Sequence, residues 1–221
     1  MYENGYVSIL KGTWKIRVHK ASDIPITYGG KAVHNIMNTL PAVLAAYLYR
    51  NITIEDIKQA ILTFIPSPTQ TPGRLNLFQF KRFKLMLDFA HNPAGLSLLC
   101  DFLNKMDATH RVAIISGTGD RRDNDIRDLG RIAAQNFDKI IISQDNSLRG
   151  RTADEIVNLL IEGINENKPE NLSVTVILSE KEAIMHAYTN AKPGSLVTLL
   201  ADHVDESLEF VKKLQEEEDK A

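Results

Sequence analysis

Hydrophobic and polar positions change rhythm along the chain. Over residues 6–10 and 14–18, short β-prone pieces flank Lys11-Gly12, which predicts a hairpin. Over 32–50 and 54–64 the apolar spacing becomes helical, and Thr53 stands three residues before Asp56, as a helix cap would. Two helices and a hairpin bury little core by themselves. Residues 1–65 therefore read as the tail of a domain whose other strands lie elsewhere. The stretch 66–73 carries three prolines, cannot continue a helix, and reads as a linker.

From residue 74 onward, short β-branched runs alternate with amphipathic stretches of helical length. Strands are expected at 83–87, 112–115, 139–142, 174–178 and 196–200. Helices are expected at 94–105, 126–135, 153–164, 181–188 and 204–215. Runs such as Lys139-Ile140-Ile141-Ile142 are apolar on both faces, as strands covered on both sides must be. The expected fold class is α/β, an open, mostly parallel Rossmann-like sheet over 74–221, flanked by helices and wound with right-handed crossovers. The acidic end of the chain reads as a solvated, frayed helix.

Composition narrows the function. With 26 basic and 28 acidic residues the net charge is -2, so no broad basic field points to nucleic acid or to a membrane surface. Any anion site must be local. The lone cysteine, Cys100, sits in an apolar run, which excludes an intrachain disulfide and suits a reducing, cytoplasmic setting. Neither a signal peptide nor a run approaching the roughly 20 apolar residues of a membrane span is present. The six histidines lack zinc-ligand spacing, so no metal site is expected from them.

Ligands of open α/β sheets lie outside the carboxyl ends of the strands, and here those ends are polar. The first expected strand runs into Asp88-Phe89-Ala90-His91-Asn92-Pro93, the second into Gly117-Thr118-Gly119-Asp120-Arg121-Arg122-Asp123. The third leads to Gln144-Asp145-Asn146-Ser147-Leu148-Arg149-Gly150-Arg151, the fifth to Asp202-His203. Asn92-Pro93 has the chemistry of a helix start. Asp88 and His91 are either a solvated loop pair or part of a site, and the clustering favours the site. The glycines at 117 and 119 match neither the dinucleotide fingerprint nor the Walker loop. Arg149 and Arg151 suit paired hydrogen bonds to a carboxylate, or are ordinary surface charges. Asp202-His203 lacks any nucleophile motif such as G-x-S-x-G and reads as structural or peripheral. His34, Asn35 and Asn38 crowd one helical turn with more polar groups than capping needs.

Five pieces, in this order, carry a resemblance: G-G-K-A-V-H-N-I-M-N at 29–38, P-G-R-L-N-L-F at 72–78, D-F-A-H-N-P at 88–93, G-D-R-R-D-N-D-I-R-D-L-G at 119–130 and L-R-G-R at 148–151. Together they resemble the Mur ligase superfamily, and within it the carboxyl-terminal part of the cyanophycin synthetase branch. The resemblance implies an ATP-dependent, amide-forming acid–amino-acid ligase that uses ATP with Mg2+. A carboxylate is phosphorylated and an amine attacks the acyl phosphate; in that branch, arginine is added to aspartate side chains of an aspartyl polymer. It further implies a division at residues 1–65, the tail of the central ATP-binding domain, 66–73, the linker, and 74–221, the carboxyl-terminal domain. Carried over, Asn38 would meet adenine, and Arg74 and Asp88 the phosphates and ribose. His91 and Asn92 would line the reaction cleft, while Arg121, Asp145, Arg149 and Arg151 would hold the amino acid or polymer. Relatives of this kind assemble as homo-oligomers. No G-x-x-x-x-G-K-[ST] sequence occurs here, so the phosphate loop, and most of the hold on Mg2+, would come from elsewhere. The chain is expected to be inactive alone. Two alternatives stand beside this: a non-catalytic module binding amino acid or polymer, and a piece of another such ligase, of peptidoglycan or folylpolyglutamate type.

Overall fold

A computed structural model describes residues 1–144 and 147–220. The chain divides into two compact units, Met1–Pro66 and Ser67–Ala221.

In the first unit, β1 (Tyr2–Glu3), β2 (Tyr6–Lys11) and β3 (Trp14–Lys20) form an antiparallel sheet. The expected hairpin is β2–β3; the two-residue β1 was too short to leave a periodic signal. Two 3₁₀ turns, Ala21–Asp23 and Pro25–Thr27, lead to α1 (Val33–Leu48) and α2 (Ile54–Thr63). Helix α1 runs through Pro41, so its ladder lacks one backbone donor. Helix α2 starts on the capping box the sequence announces: the Thr53 hydroxyl accepts from Asp56 N at 3.2 Å, and the Asp56 carboxylate accepts from Thr53 N at 2.9 Å. Val7, Ile9 and Val18 from the sheet close on Ile36, Val43 and Ile57 from the helices.

The second unit holds a six-stranded sheet in the order β4-β5-β9-β6-β7-β8. Its elements are β4 (Asn76–Gln79), β5 (Phe83–Asp88), α3 (Pro93–Leu103), β6 (Arg111–Ile115), α4 (Asp123–Asn136), β7 (Lys139–Ile142), α5 (Ala153–Glu166), β8 (Ser173–Val176), α6 (Glu180–Asn190), β9 (Ser195–Leu200) and α7 (Val204–Lys220). Five strands are parallel and β4 alone runs antiparallel, on the edge beside β5. Every strand and helix expected after residue 80 is present. Strand β8 is the loosest match: its ladder ends at Val176, and Leu178, which the reading included, is exposed but still takes a bond from Gln144 N.

Right-handed crossovers dictate where the helices go. The steps β5 to β6, β6 to β7 and β7 to β8 advance in one direction, which puts α3, α4 and α5 on one face. The return from β8 to β9 reverses direction and sends α6 to the other. There Ala183, Ile184 and Ala187 of α6 and Leu208, Val211 and Leu214 of α7 pack on Leu85, Leu87, Val112, Ile114, Val197 and Leu199 of the sheet. The alternate residues Met86, Ala113, Ile115, Ile140 and Ile142 are equally buried on the opposite side.

Cys100 lies in α3, 3% exposed, and its burial, with the charge of Asp101 adding to it, pushes the thiol up to about 12. The thiolate is the reactive species, so Ellman's reagent is expected to leave the folded chain unmodified and to titrate one thiol in denaturant. Prompt reaction of the native chain would show that α3 opens readily.

No described helix is long and apolar enough to cross a membrane.

Candidate functional site

Because five strands are parallel, the loops after β5, β9, β6 and β7 leave the same edge of the sheet. Their order groups them into two clusters. The loops of β5 and β9 are neighbours, as are those of β6 and β7. With β9 between them, the ends of β5 and β6 stand roughly 10 Å apart, two strand spacings.

The first cluster is built on the turn Gly73–Leu75. Gly73 has φ +69, and an added Cβ would sit 2.8 Å from both methyls of Val204, so this position suits glycine alone. Leu75 also adopts a left-handed backbone, φ +49. The turn is tied down on several sides. Gly73 N donates to Asn76 Oδ1 at 2.7 Å, and Phe89 N donates to Gly73 O at 2.9 Å. Leu75 N donates to Asp88 Oδ2 at 2.9 Å. Ala201 N in turn donates to the Asp88 carbonyl at 2.9 Å, joining the ends of β5 and β9.

Arg74 projects from this turn into solvent, its guanidinium 5.5 Å from the centre of the Phe89 ring. The Phe89 ring lies 4.3 Å from that of His91. His91 Nδ1 meets the Phe89 carbonyl at 2.9 Å; a carbonyl only accepts, so Nδ1 carries the proton and Nε2 of the neutral ring is an acceptor. Asn92 caps α3, its Oδ1 accepting from Gly95 N at 2.8 Å. Asp88 itself is buried. Desolvation raises its carboxyl above the usual 3.8, against opposing help from the Leu75 amide, the Arg74 charge and the amides of Ala90 and Phe89.

The second cluster zips the loop after β6 onto the loop after β7. Gly117 N donates to Gln144 Oε1 at 2.8 Å and Gln144 Nε2 donates back to Gly117 O at 3.0 Å, a buried reciprocal pair. Gly119 N donates to Ser147 O at 2.8 Å, and a Cβ at Gly119 would fall 1.8 Å from Leu148 O. Arg151 braces the same loop, donating from Nε to Gly119 O at 2.9 Å and from a terminal nitrogen to Arg121 O at 3.0 Å. It also pairs with Asp123 at 2.7 Å, and Arg149 pairs with Asp120 at 2.5 Å. These two arginines are thus engaged within the protein. The Nε of Arg121 is different: it is buried and without a hydrogen-bond partner among the described residues. Asp145 lies outside the described residues.

At the end of β9, Glu180 reaches across from α6. Its carboxylate accepts from Asp202 N at 3.3 Å and lies against the Ser207 hydroxyl, whose single proton is shared between that carboxylate and His203 O, 2.8 Å away. Asp202-His203 is a tied turn.

Asn38 belongs to the first unit. It is exposed on α1 and, with Ile24, Val43, Ile57, Ile61 and Phe64, lines a mostly apolar cavity of about 380 Å³.

Phe89 and Gln144 stand in loops that the sequence picks out but without a role assigned to them, and Glu180 was not singled out, although all three hold these loops. Gln144 carried a signal, an amide two residues past the end of a four-residue strand, whereas Glu180 looked like any acidic residue in a first helical turn.

Comparison with known proteins gives this arrangement relatives. The chain is 42% identical over 212 residues to cyanophycin synthetase of Synechocystis sp., an alignment covering 96% of this chain and 24% of that protein. It is likewise 42% identical over 213 residues to cyanophycin synthetase of Geminocystis herdmanii, with the same coverage of both. The chain thus spans about a quarter of the length of the curated relatives it matches. In fold it is similar to a solved bifunctional folylpolyglutamate synthase/dihydrofolate synthase, with a TM-score of 0.64 at 18% identity over 92% of this chain and 43% of that one. The family model described as Mur ligase, glutamate ligase domain, matches residues 73–203, which runs from the Gly73 turn to the end of the β9 loop. The chain belongs to the Mur ligase family.

Proposed function

We propose that this chain supplies part of the nucleotide site and the amino-acid or polymer site of an ATP-dependent amide ligase of cyanophycin synthetase type, adding arginine to aspartate side chains. The observation that carries the reading is Arg74: an exposed guanidinium, in no close ion pair among the described residues although its charge reaches the buried Asp88, held over Phe89 on the ligand edge of the sheet. A fixed cation of this kind suits phosphate oxygens, on which charge grows as an acyl phosphate forms. His91 Nε2, an acceptor, is placed to orient a protonated amine or take its proton. Arg121, with a buried and unanswered N–H, is the member of the second cluster best suited to a carboxylate. Arg149 and Arg151 then shape that loop, and reach substrate only if they exchange Asp120 and Asp123 for it.

Asn38 is the adenine contact the resemblance implies, and a flat base suits the apolar cavity that it helps to line. The cofactor is ATP with Mg2+; the fold neighbour was solved with Mn, AMPPNP and L-glutamate bound. Residues 1–65 are read as the tail of the central domain, 66–73 as the linker and 74–221 as the carboxyl-terminal domain. The compartment is cytoplasmic and the complete enzyme a homo-oligomer.

On this reading the chain depends on further polypeptide for its phosphate loop. Incubated with ATP, aspartyl polymer and arginine, the purified chain is expected to release no phosphate above background. Turnover by the chain alone would refute that dependence.

A further inference from the structure

We infer that Asp88 is a positioning residue: its carboxylate clamps the left-handed turn Gly73–Leu75 and thereby fixes where the Arg74 guanidinium stands. This rests on reading Arg74 as a phosphate contact, and it assigns Asp88 a role in place of the direct ribose contact that the resemblance implies.

Three observations converge on it. Asp88 is only 8% exposed, so little of its carboxylate is available to a ligand. One oxygen is already committed to Leu75 N at 2.9 Å, and the amides of Ala90 and Phe89 also favour the charge. A ribose hydroxyl would have to compete with those bonds in a desolvated place. The second observation is what Leu75 needs. With φ +49, a side-chain-bearing residue sits where L residues are strained, and such a conformation persists only when its surroundings enforce it. Asp88 provides that from the rigid end of β5, itself paired to Leu200 of β9. The third is the order of the parts. Leu75 directly follows Arg74, and Phe89, on whose ring Arg74 rests, directly follows Asp88. One carboxylate therefore ties the residue after the arginine to the residue before its aromatic platform. Desolvation of an anion is unfavourable and is tolerated here for the geometry it enforces.

Two measurements test this. In the present chain, Asp88→Ala should speed amide hydrogen exchange at Leu75 by at least about tenfold, while Leu87 and Leu199 in the adjoining strands stay protected. Asp88→Asn keeps an acceptor oxygen and should restore most of the protection at Leu75. In a complete ligase carrying this segment, kcat/KM for ATP is compared among Arg74→Ala, Asp88→Ala and the double variant. If Asp88 acts through Arg74, the double variant falls within about threefold of Arg74→Ala, because residues acting as a unit are not additive. Losses that multiply would show that Asp88 touches the nucleotide on its own account and would overturn the inference. Unchanged exchange at Leu75 in Asp88→Ala would also overturn it. Wild-type behaviour of Arg74→Ala would instead sink the nucleotide reading on which the inference rests, a result separable from the exchange measurement.

Discussion

Replacing Gly163 by alanine is expected to destabilise the second unit by roughly 2–3 kcal/mol, seen as a lower urea midpoint with an unchanged slope. In an isolated helix the same change would stabilise by about 1 kcal/mol, since glycine is the poorer helix former. Packing reverses the sign. Gly163 of α5 lies against α4 so closely that an added Cβ would stand 1.9 Å from Arg127 O, and across the same contact a Cβ on Gly130 would stand 2.2 Å from Leu160 O. These obstacles are backbone atoms, which cannot rotate away. The helices would have to part, loosening Ile126, Leu129, Ile156 and Leu160, all buried along the seam. A midpoint equal to or above that of the unmodified chain would show that the helices do not meet this tightly.

Within a complete ligase, Arg74→Ala should lower kcat for ATP-dependent ligation by about 10²–10³-fold, the usual effect of removing one preorganised donor from developing charge. Arg74→Lys should recover only part of it. Lysine keeps the charge but loses the planar group that rests on Phe89, so the cation would be present and poorly aimed. The split between kinetic constants is informative. A loss confined to KM would mean that Arg74 holds the ground state and transition state equally well. A loss of less than about tenfold in both kcat and kcat/KM would remove Arg74 from the phosphate-contact role altogether.

The middle of the sheet was legible in the sequence because β5, β6, β7 and β9 obey one rule: buried on both faces, they appear as unbroken apolar runs between helices of regular period. Strand β4 hid because its first inward position is Asn76, 1% exposed and occupied in bonding Gly73 N and Thr71 O. A buried polar residue erases the alternation that would otherwise mark so short a strand. The polar loops were found from the same topological rule that locates ligand crevices. What periodicity could not provide was the use each side chain is put to. Arg149 and Arg151 look alike beside Gly150, yet Arg151 is a brace for carbonyls of the facing loop and Arg149 an exposed ion pair. Asp88 and Asp120 are both loop carboxylates in the sequence; one is sealed beneath the Gly73 turn and the other exposed. Such differences arise from contacts between loops far apart in the chain, which no local pattern encodes.

The strand order also bears on how the domain forms. Strand β9, near the end of the chain, sits between β5 and β6, so Phe83 finds its parallel partner Ser195 only after nearly all of the domain has been made. During synthesis the β4–β5 hairpin and the β6–β7–β8 array wait as two half-sheets with their inner edges bare. Closure is a late, long-range event, and chains arrested before it would offer unpaired, apolar edges to one another, the condition under which nascent α/β domains aggregate.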